Sequence, residues 1–429
     1  MTTPLALLRR AAVLIAGVLA LGFAMAEAAP PPAGPSAAQA SGREILVMLR
    51  IPPDHYRPNS TYGGDYGDQF TIAARRSLAQ RIARRYGLEF VGDGWQMPLL
   101  GVDCYVMRVQ ADETLESAMK RISRDPEIAW SEPMHVYQAQ AQASGSVTDD
   151  DPLYAVQPTA TAWRLADLHR VTTGRGVVVA VIDSRIQQDH PDLAGQFVAS
   201  QDFVVGRPGP AERHGTGIAG VIAAKADNGI GIAGVAPDAR LMALRACWQT
   251  DETSPSAPTV CDSLSLAKAL TYAIEHGAKV INLSLSGPSD RLLTQLIDIA
   301  SSRDITIVAA YDPSMPKGGF PASDPNVIAV ANESLPSAPS GVYLAPGDDV
   351  PTTQPGGKWI LVNGSSYAAA HVSGLVALVR EHRNAPPRPL LVAALPMGGP
   401  VDACATLLRA AKPCNCTCPK PTRLAQAGR

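Results

Sequence analysis

Val177-Val178-Val179-Ala180-Val181-Ile182-Asp183 is an unbroken apolar run that ends on an acid. With no polar residue inside it, a strand made of this run can turn neither face to water. The runs 241–246, 280–285, 305–310 and 327–330 have the same texture. Between them, helical patterns cover 214–224, 263–275, 291–302 and 366–382. Apolar strands alternating with helices predict an α/β fold, a doubly wound parallel sheet covered on both faces. Functional residues of such sheets gather at the carboxyl ends of strands. Asp183 stands at one of those ends.

Two further element ends carry complementary chemistry. His214-Gly215-Thr216-Gly217-Ile218-Ala219-Gly220 opens one helical pattern. Asn363-Gly364-Ser365-Ser366-Tyr367-Ala368-Ala369-Ala370-His371 opens another. Taken singly, each is ordinary: acids and serines cap helices, and a lone histidine is more often structural. Together they supply an acid, an imidazole and a hydroxyl. A serine hydroxyl is a weak nucleophile without a base, and the imidazole needs a carboxylate to fix its tautomer. A helix start at Ser366 also offers an unpaired N–H and a positive dipole end to a developing oxyanion.

At this point the chain resembles the subtilisin-like serine proteases (subtilases, peptidase S8 family), whose triad runs Asp, His, Ser along the chain. Asp183-Ser184 with His190-Pro191-Asp192-Leu193 is similar to the family's aspartate motif, His214-Gly215-Thr216 to its histidine motif, and Gly364-Ser365-Ser366 to its serine motif. Val280-Ile281-Asn282-Leu283-Ser284-Leu285-Ser286-Gly287 resembles its substrate-binding strand, and Phe320-Pro321-Ala322 and Ala345-Pro346-Gly347 follow in the family's order. The resemblance covers roughly 150–382. It implies that Ser366 attacks the scissile carbonyl, His214 takes and returns the proton, and Asp183 orients the imidazole. The Ser366 N–H would donate to the oxyanion. Ser284, Leu285, Ser286 and Gly287 would pair with a polypeptide substrate as an added strand. His371 is expected to be a packed helix residue.

The departures from the family pattern are specific. Where subtilases carry Ala-Ala-Gly-Asn, with the Asn donating to the oxyanion, this chain has Ala309-Ala310-Tyr311-Asp312. An ionised carboxylate only accepts hydrogen bonds. Asp312 at the oxyanion position therefore implies a slow enzyme, or one favoured by acid. The other reading has Asp312 capping a turn before Pro313. Tyr311 is expected beside the P1 side-chain pocket, favouring small residues there. Arg185 replaces a glycine after Asp-Ser and is expected to bring a cation near Asp183. Gly217 and Ala370 stand where a His and a Pro are common. Calcium is met in the family, but no acidic loop here carries a motif for it, and no cofactor or metal ligand set is expected.

Upstream, Arg9-Arg10 precede the apolar stretch 11–26, and small residues follow. That is the layout of a secretory signal peptide over 1–28, with a secreted or periplasmic product and no stable membrane span after its removal. Residues 29–42 read as a Pro/Ala linker. Residues 43–140 carry the order β-α-β-β-α-β of a small α+β, ferredoxin-like unit. By the resemblance this is an inhibitor-I9-like propeptide, an intramolecular inhibitor whose end, about 137–144, would lie in the cleft. Segment 141–150 reads as a linker and processing region, 151–383 as the peptidase domain, and 384–429 as a Cys/Pro-rich tail of doubtful regularity.

Export makes the seven cysteines potential disulfide partners. Cys247 and Cys261 flank a polar loop and form the natural local pair, worth about 3 kcal/mol in the chain-entropy model. Cys404, Cys414, Cys416 and Cys418 lack zinc-knuckle spacing and read as disulfides of open connectivity. Cys104, in an apolar run, reads as a buried thiol. A net charge of −2 in 429 residues points to no nucleic acid. The leading expectation is an exported, self-processed serine endopeptidase. The alternatives are an impaired protease-fold binding module or a peptide ligase that shares the acyl-enzyme.

Overall fold

The structure, a computed structural model, describes residues 42–51, 66–92, 94–140, 142–146, 153–251, 254, 257–382, 391–395 and 398–410. The expected signal peptide, most of the Pro/Ala linker and Cys414, Cys416 and Cys418 lie outside the described residues.

The first part of the chain is built from β1 (Glu44–Arg50), α1 (Tyr66–Arg85), β2 (Glu89–Phe90), β3 (Trp95–Met97), β4 (Val102–Arg108), α2 (Leu115–Ile122) and β5 (Ile128–Pro133). Its antiparallel sheet has the order β2-β4-β1-β5, with β3 added on β4. Helix α1 is the longest helix of this part, at 20 residues. Strand β1 is apolar at every position from Ile45 to Leu49, and the side-chain alternation of a strand explains why. Ile45, Val47 and Leu49 face Ile82, Ala118 and Ile122 of the two helices. Leu46 and Met48 face the other way and join Leu266, Ala267 and Leu270 of the following domain in one core. An antiparallel sheet usually leaves one face wet. Here both are dry, because the second face is docked. Cys104 is buried in that docking core, and burial pushes its thiol pKa up.

Met134 and His135 interrupt the extended chain after β5. After β5 the chain re-forms as β6 (Val136–Ala139) and then β7 (Gln142–Ser146). Two short helices follow, α3 (Pro158–Ala162) and α4 (Leu165–His169). The main domain then alternates strand and helix: β8 (Val178–Asp183), β9 (Phe197–Asp202), α5 (Arg213–Ala223), β10 (Arg240–Arg245), the pair β11 (Cys247–Gln249) and β12 (Thr259–Asp262), and α6 (Ser263–Glu275). It continues through β13 (Val280–Leu283), β14 (Leu285–Ser286), α7 (Arg291–Ser302), β15 (Thr306–Ala310), β16 (Val327–Asn332) and β17 (Val342–Ala345). A hairpin of β18 (Val350–Gln354) and β19 (Lys358–Asn363) precedes α8 (Ser365–Arg380).

The central sheet has the order β20-β21-β17-β16-β15-β13-β8-β10-β9 and is parallel except at β20–β21. Val179 and Val181 of β8 enter the core shared with α5 and α8, while Ala180 and Ile182 enter the core shared with α6 and α7. This is the doubly wound α/β sheet that the apolar runs predict.

Regular structure does not stop near residue 383. Strands β20 (Ala393–Leu395) and β21 (Gly398–Val401) extend the sheet beyond β17, and α9 (Ala403–Ala410) buries Leu407 in the main core. Gly398-Gly399-Pro400 reads as loop in sequence because neither residue type favours a strand. β21 is short and lies between β20 and β17, and its pairing with both holds these residues extended.

Candidate active site

Three elements present Asp183, His214 and Ser366. Asp183 closes β8, and its Oδ1 accepts a hydrogen bond from the Ser184 N–H at 2.6 Å. His214 sits in the first turn of α5, with Nδ1 2.7 and 2.9 Å from the two carboxylate oxygens of Asp183. The helix can come this close because Gly215 has no side chain; a Cβ there would lie 2.3 Å from the Ser184 carbonyl oxygen. The Ser184 hydroxyl in turn accepts from the Gly215 N–H. Gly364 holds φ +137° before α8, a conformation that favours glycine, and this turn leads directly into Ser365 and Ser366.

Ser366 is fully buried and does not point its hydrogen bond at His214. Its hydroxyl donates to the Ser284 carbonyl at 3.0 Å and accepts from the Gln140 N–H at 3.1 Å. His214 Nε2 is buried and makes no hydrogen bond with the described residues. The Ser366 N–H donates to the Gln140 carbonyl oxygen at 3.1 Å. That carbonyl thus lies against the nucleophile candidate and the donor expected for an oxyanion.

The chain around Gln140 is held as an added strand. β6 runs antiparallel between β12 and β14, with Tyr137 opposite Cys261, Gln138 opposite Val260 and Ser286, and Ala139 opposite Leu285. Beyond Gln140, β7 pairs with β19. The expected Cys247–Cys261 disulfide joins β11 to β12 and ties down this edge. Leu285 and Ser286 pair with β6, while the backbones of Gly287 and Phe320 bond each other.

Ser284 has another task. Its hydroxyl accepts from Asn282 Nδ2 at 2.8 Å and donates to the Ser366 carbonyl at 2.9 Å, while Ser373 donates to Asn282 Oδ1 at 2.8 Å. This buried network fixes the first turn of α8. Asn282 and Ser373 escaped the sequence reading. An amide inside an apolar strand and a hydroxyl inside an Ala-rich helix are the signals that mark them.

Asp312 lines an open cavity of about 520 Å³ together with Gln140, Ser314, Asn332 and Ser365. Its Oδ1 accepts from the Ser314 N–H at 2.8 Å and the Ser314 hydroxyl at 2.6 Å, so it caps the turn through Pro313 while facing the cleft. Tyr311 is packed inward: its ring lies over Gly318, where a Cβ would sit 2.1 Å from it, in the same core as Phe320. Arg185 does not pair with Asp183. Its guanidinium binds Asp202 at 2.5 Å, because its backbone N–H is drawn to Glu212 and its side chain follows β9. Arg185 is also absent from the positive-φ residues, so the missing glycine leaves no strained backbone there. His371 is a packed helix residue: burial lowers its pKa to about 4, and the neutral ring's Nδ1 is 2.8 Å from the Pro346 carbonyl. Calcium, met in the family, has no cluster of carboxylates waiting for it among the described residues. The buried carboxylate of Asp192 takes its bonds from Asn228, the Ile232 N–H and the Trp359 indole.

Residues 174–413 match the model of the subtilase family. The chain belongs to the subtilase family. It is 35% identical over 282 residues to subtilisin E of Bacillus subtilis (strain 168), covering 62% of this chain and 68% of that protein. It is 33% identical over 279 residues to the thermophilic serine proteinase of Bacillus sp. (strain AK1), covering 62% and 66%. Against thermitase of Thermoactinomyces vulgaris it is 34% identical over 230 residues, covering 51% and 77%. The crystal structure of fervidolysin from Fervidobacterium pennivorans, described as a keratinolytic enzyme related to subtilisin, superposes with a TM-score of 0.61 at 22% identity, over 85% of this chain and 60% of that one. That likeness speaks for the fold. The subtilase spans about two thirds of the length of the first two relatives.

The docked N-terminal sheet meets the subtilase domain at the start of α7. Glu132 accepts from the Arg291 and Leu292 N–H groups at 3.2 and 3.3 Å. Burial, and then the neighbouring Asp290 charge, pushes the Glu132 pKa from 4.5 up to about 7. The docked form therefore holds a proton that the free carboxylate gives up. The stability from this group is fully present below pH 4.5 and lost as pH rises through 7. Glu132→Gln in an uncut Ser366→Ala chain should flatten the fall in Tm between pH 5 and 8. An unchanged pH profile would refute the assignment.

Proposed function

We propose that this chain is an exported serine endopeptidase, made as a zymogen that cuts its own Gln140–Ala141 bond. The observation that carries the proposal is the pair of hydrogen bonds between Gln140 and Ser366, made while β6 is paired on both edges. A peptide held in this register is a substrate stopped before reaction. Residues 43–140 are then the leader: folding aid and inhibitor first, first substrate afterwards.

The chemistry follows from the groups present. Ser366 Oγ leaves the Ser284 carbonyl, gives its proton to His214 Nε2 and bonds to the Gln140 carbonyl carbon. The charge gathering on the Gln140 oxygen is met by the Ser366 N–H. Asp183 holds the Nδ1 proton and stabilises the imidazolium. His214 then protonates the nitrogen of Ala141 as the C–N bond breaks, which leaves a Gln140 ester on Ser366. Water, activated by His214, hydrolyses that ester and restores the hydroxyl. Polypeptides would enter along β12 and β14 by the same pairing once the leader departs. No helix among the described residues is long and apolar enough to cross a membrane.

Asp312 favours a slow version of this enzyme, since its carboxylate accepts from Ser314 and offers no hydrogen to the Gln140 oxygen. N-terminal sequencing and mass of the purified protein test the proposal. Wild type should start at Ala141, and Ser366→Ala should keep residues on both sides of that bond joined. The same mass pattern from both proteins would refute self-processing.

A further inference from the structure

The third residue before Gln140 occupies a pocket with an unusual floor. Tyr137 is fully buried, its ring against Phe320 and against Gly287, where a Cβ would lie 2.3 Å from Tyr137 Cδ1. The far end of the ring is not left apolar. The phenol donates to Asp290 Oδ2 at 3.1 Å, and the Ser263 hydroxyl donates to the same oxygen at 2.6 Å. Asp290 is 2% exposed and also caps α7, its Oδ1 accepting from the Leu293 N–H at 2.9 Å. A fourth contact comes from His135 Nδ1 at 3.3 Å.

These contacts divide at the proposed cut. Asp290, Ser263, Gly287 and Phe320 stay with the enzyme, while Tyr137 and His135 leave with the leader. Departure of the leader opens Oδ2 to the emptied pocket and removes two of its three side-chain partners. An occupant that fills the pocket buries this acceptor again, so one that returns a donor is favoured over one that does not. An aromatic ring that ends in a hydroxyl does so, whereas a phenyl ring fills the same volume and leaves Oδ2 short.

We propose that Asp290 is a specificity-determining residue of the mature enzyme, reading a tyrosine hydroxyl on the substrate residue four positions before the cut. The inference rests on the proposed cleavage of Gln140–Ala141 and names the substrate class that the same cleft selects. Ser263 supports it by holding Oδ2 in place. Part of the acceptor's demand is met by Ser263 and water, so the expected discrimination is about ten-fold rather than the far larger ratios of fully sealed sites.

The test uses the processed protein and peptides spanning 136–144, with Tyr, Phe, Leu or Arg at position 137. The Tyr peptide should show kcat/KM about ten-fold above the Phe peptide and further above Leu. Asp290→Ser retains a helix cap but is too short to reach the phenol. It should bring the Tyr/Phe ratio close to one while cleavage of the Phe peptide persists. Equal rates for Tyr and Phe in the wild type, a ratio unmoved by Asp290→Ser, or a preference for Arg over Tyr would each overturn the proposal. The wild-type comparison needs no variant to fold. If no peptide is cut although a fluorophosphonate labels Ser366, the proposed endopeptidase function has failed as well.

Discussion

Asp183→Asn should lower turnover by about 10⁴, the loss found when the triad aspartate of a serine protease becomes its amide. The geometry says why the effect should be that large. Both carboxylate oxygens of Asp183 lie within 2.9 Å of His214 Nδ1, and Oδ1 is also held by the Ser184 N–H. If an amide turns its NH₂ to Nδ1, the imidazole proton moves to Nε2, and the ring can no longer accept the Ser366 proton. If the amide turns its oxygen instead, the tautomer survives but no charge answers the imidazolium. The residue is 2% exposed and nearly isosteric with Asn, so the fold should persist. Steady-state kcat on a peptide substrate, with Tm as the control, measures the effect. A loss smaller than ten-fold with an unchanged Tm would remove Asp183 from the proposed relay.

The sheet was legible because it is buried on both faces. Parallel strands with helices on each side bury nearly every position and are therefore mostly apolar, so 177–182 and its counterparts stand out without any partner being known. Helices α6 and α7 were legible to the residue for a different reason. Asp262 and Asp290 cap them, accepting from the N–H groups of Ser265 and Leu293, and an acid before an apolar pattern is a visible start signal. The same signal hid something. Once Asp290 is explained as a cap, nothing in the sequence shows that its second oxygen faces Tyr137, because the two residues meet through the pairing of β6 with β12 and β14.

Gln140 was illegible for a related reason. The stretch from Gln138 to Ser144 is small and polar and gives no preference for one bond over its neighbours. The choice is made by the registers with β12 and β14, which are properties of the docked sheet. Docking itself left a trace that could be read only in retrospect. Leu46 and Met48 are as apolar as Ile45 and Val47, an excess for a small sheet with helices on one side only. At the other end, β21 and α9 were missed because Gly398-Gly399-Pro400 carries no strand preference. Pairing with β17 and β20 imposes the conformation there.

Asp312→Asn should raise kcat on peptide substrates between pH 7 and 8 by about 10² to 10³, the size of the loss when a subtilisin is deprived of its oxyanion-hole amide. Asp312 lines the cavity beside Gln140, yet its carboxylate is spent as an acceptor from the Ser314 N–H and hydroxyl. In wild type the oxyanion would then rely on the Ser366 N–H, and a negative carboxylate beside it would oppose the charge it must stabilise. Asparagine is nearly the same size and can still accept from Ser314 through its oxygen. Its NH₂ then becomes a donor facing the cleft. Turnover should rise while KM moves little, because the new bond strengthens only as charge develops on the oxygen. The control is Ser314→Ala, which releases the acid from its turn without adding a donor and should leave neutral-pH turnover low. No gain in Asp312→Asn at pH 7 to 8 would mean that Asp312 is only a turn cap, and that the oxyanion is stabilised by the Ser366 N–H and groups other than this one.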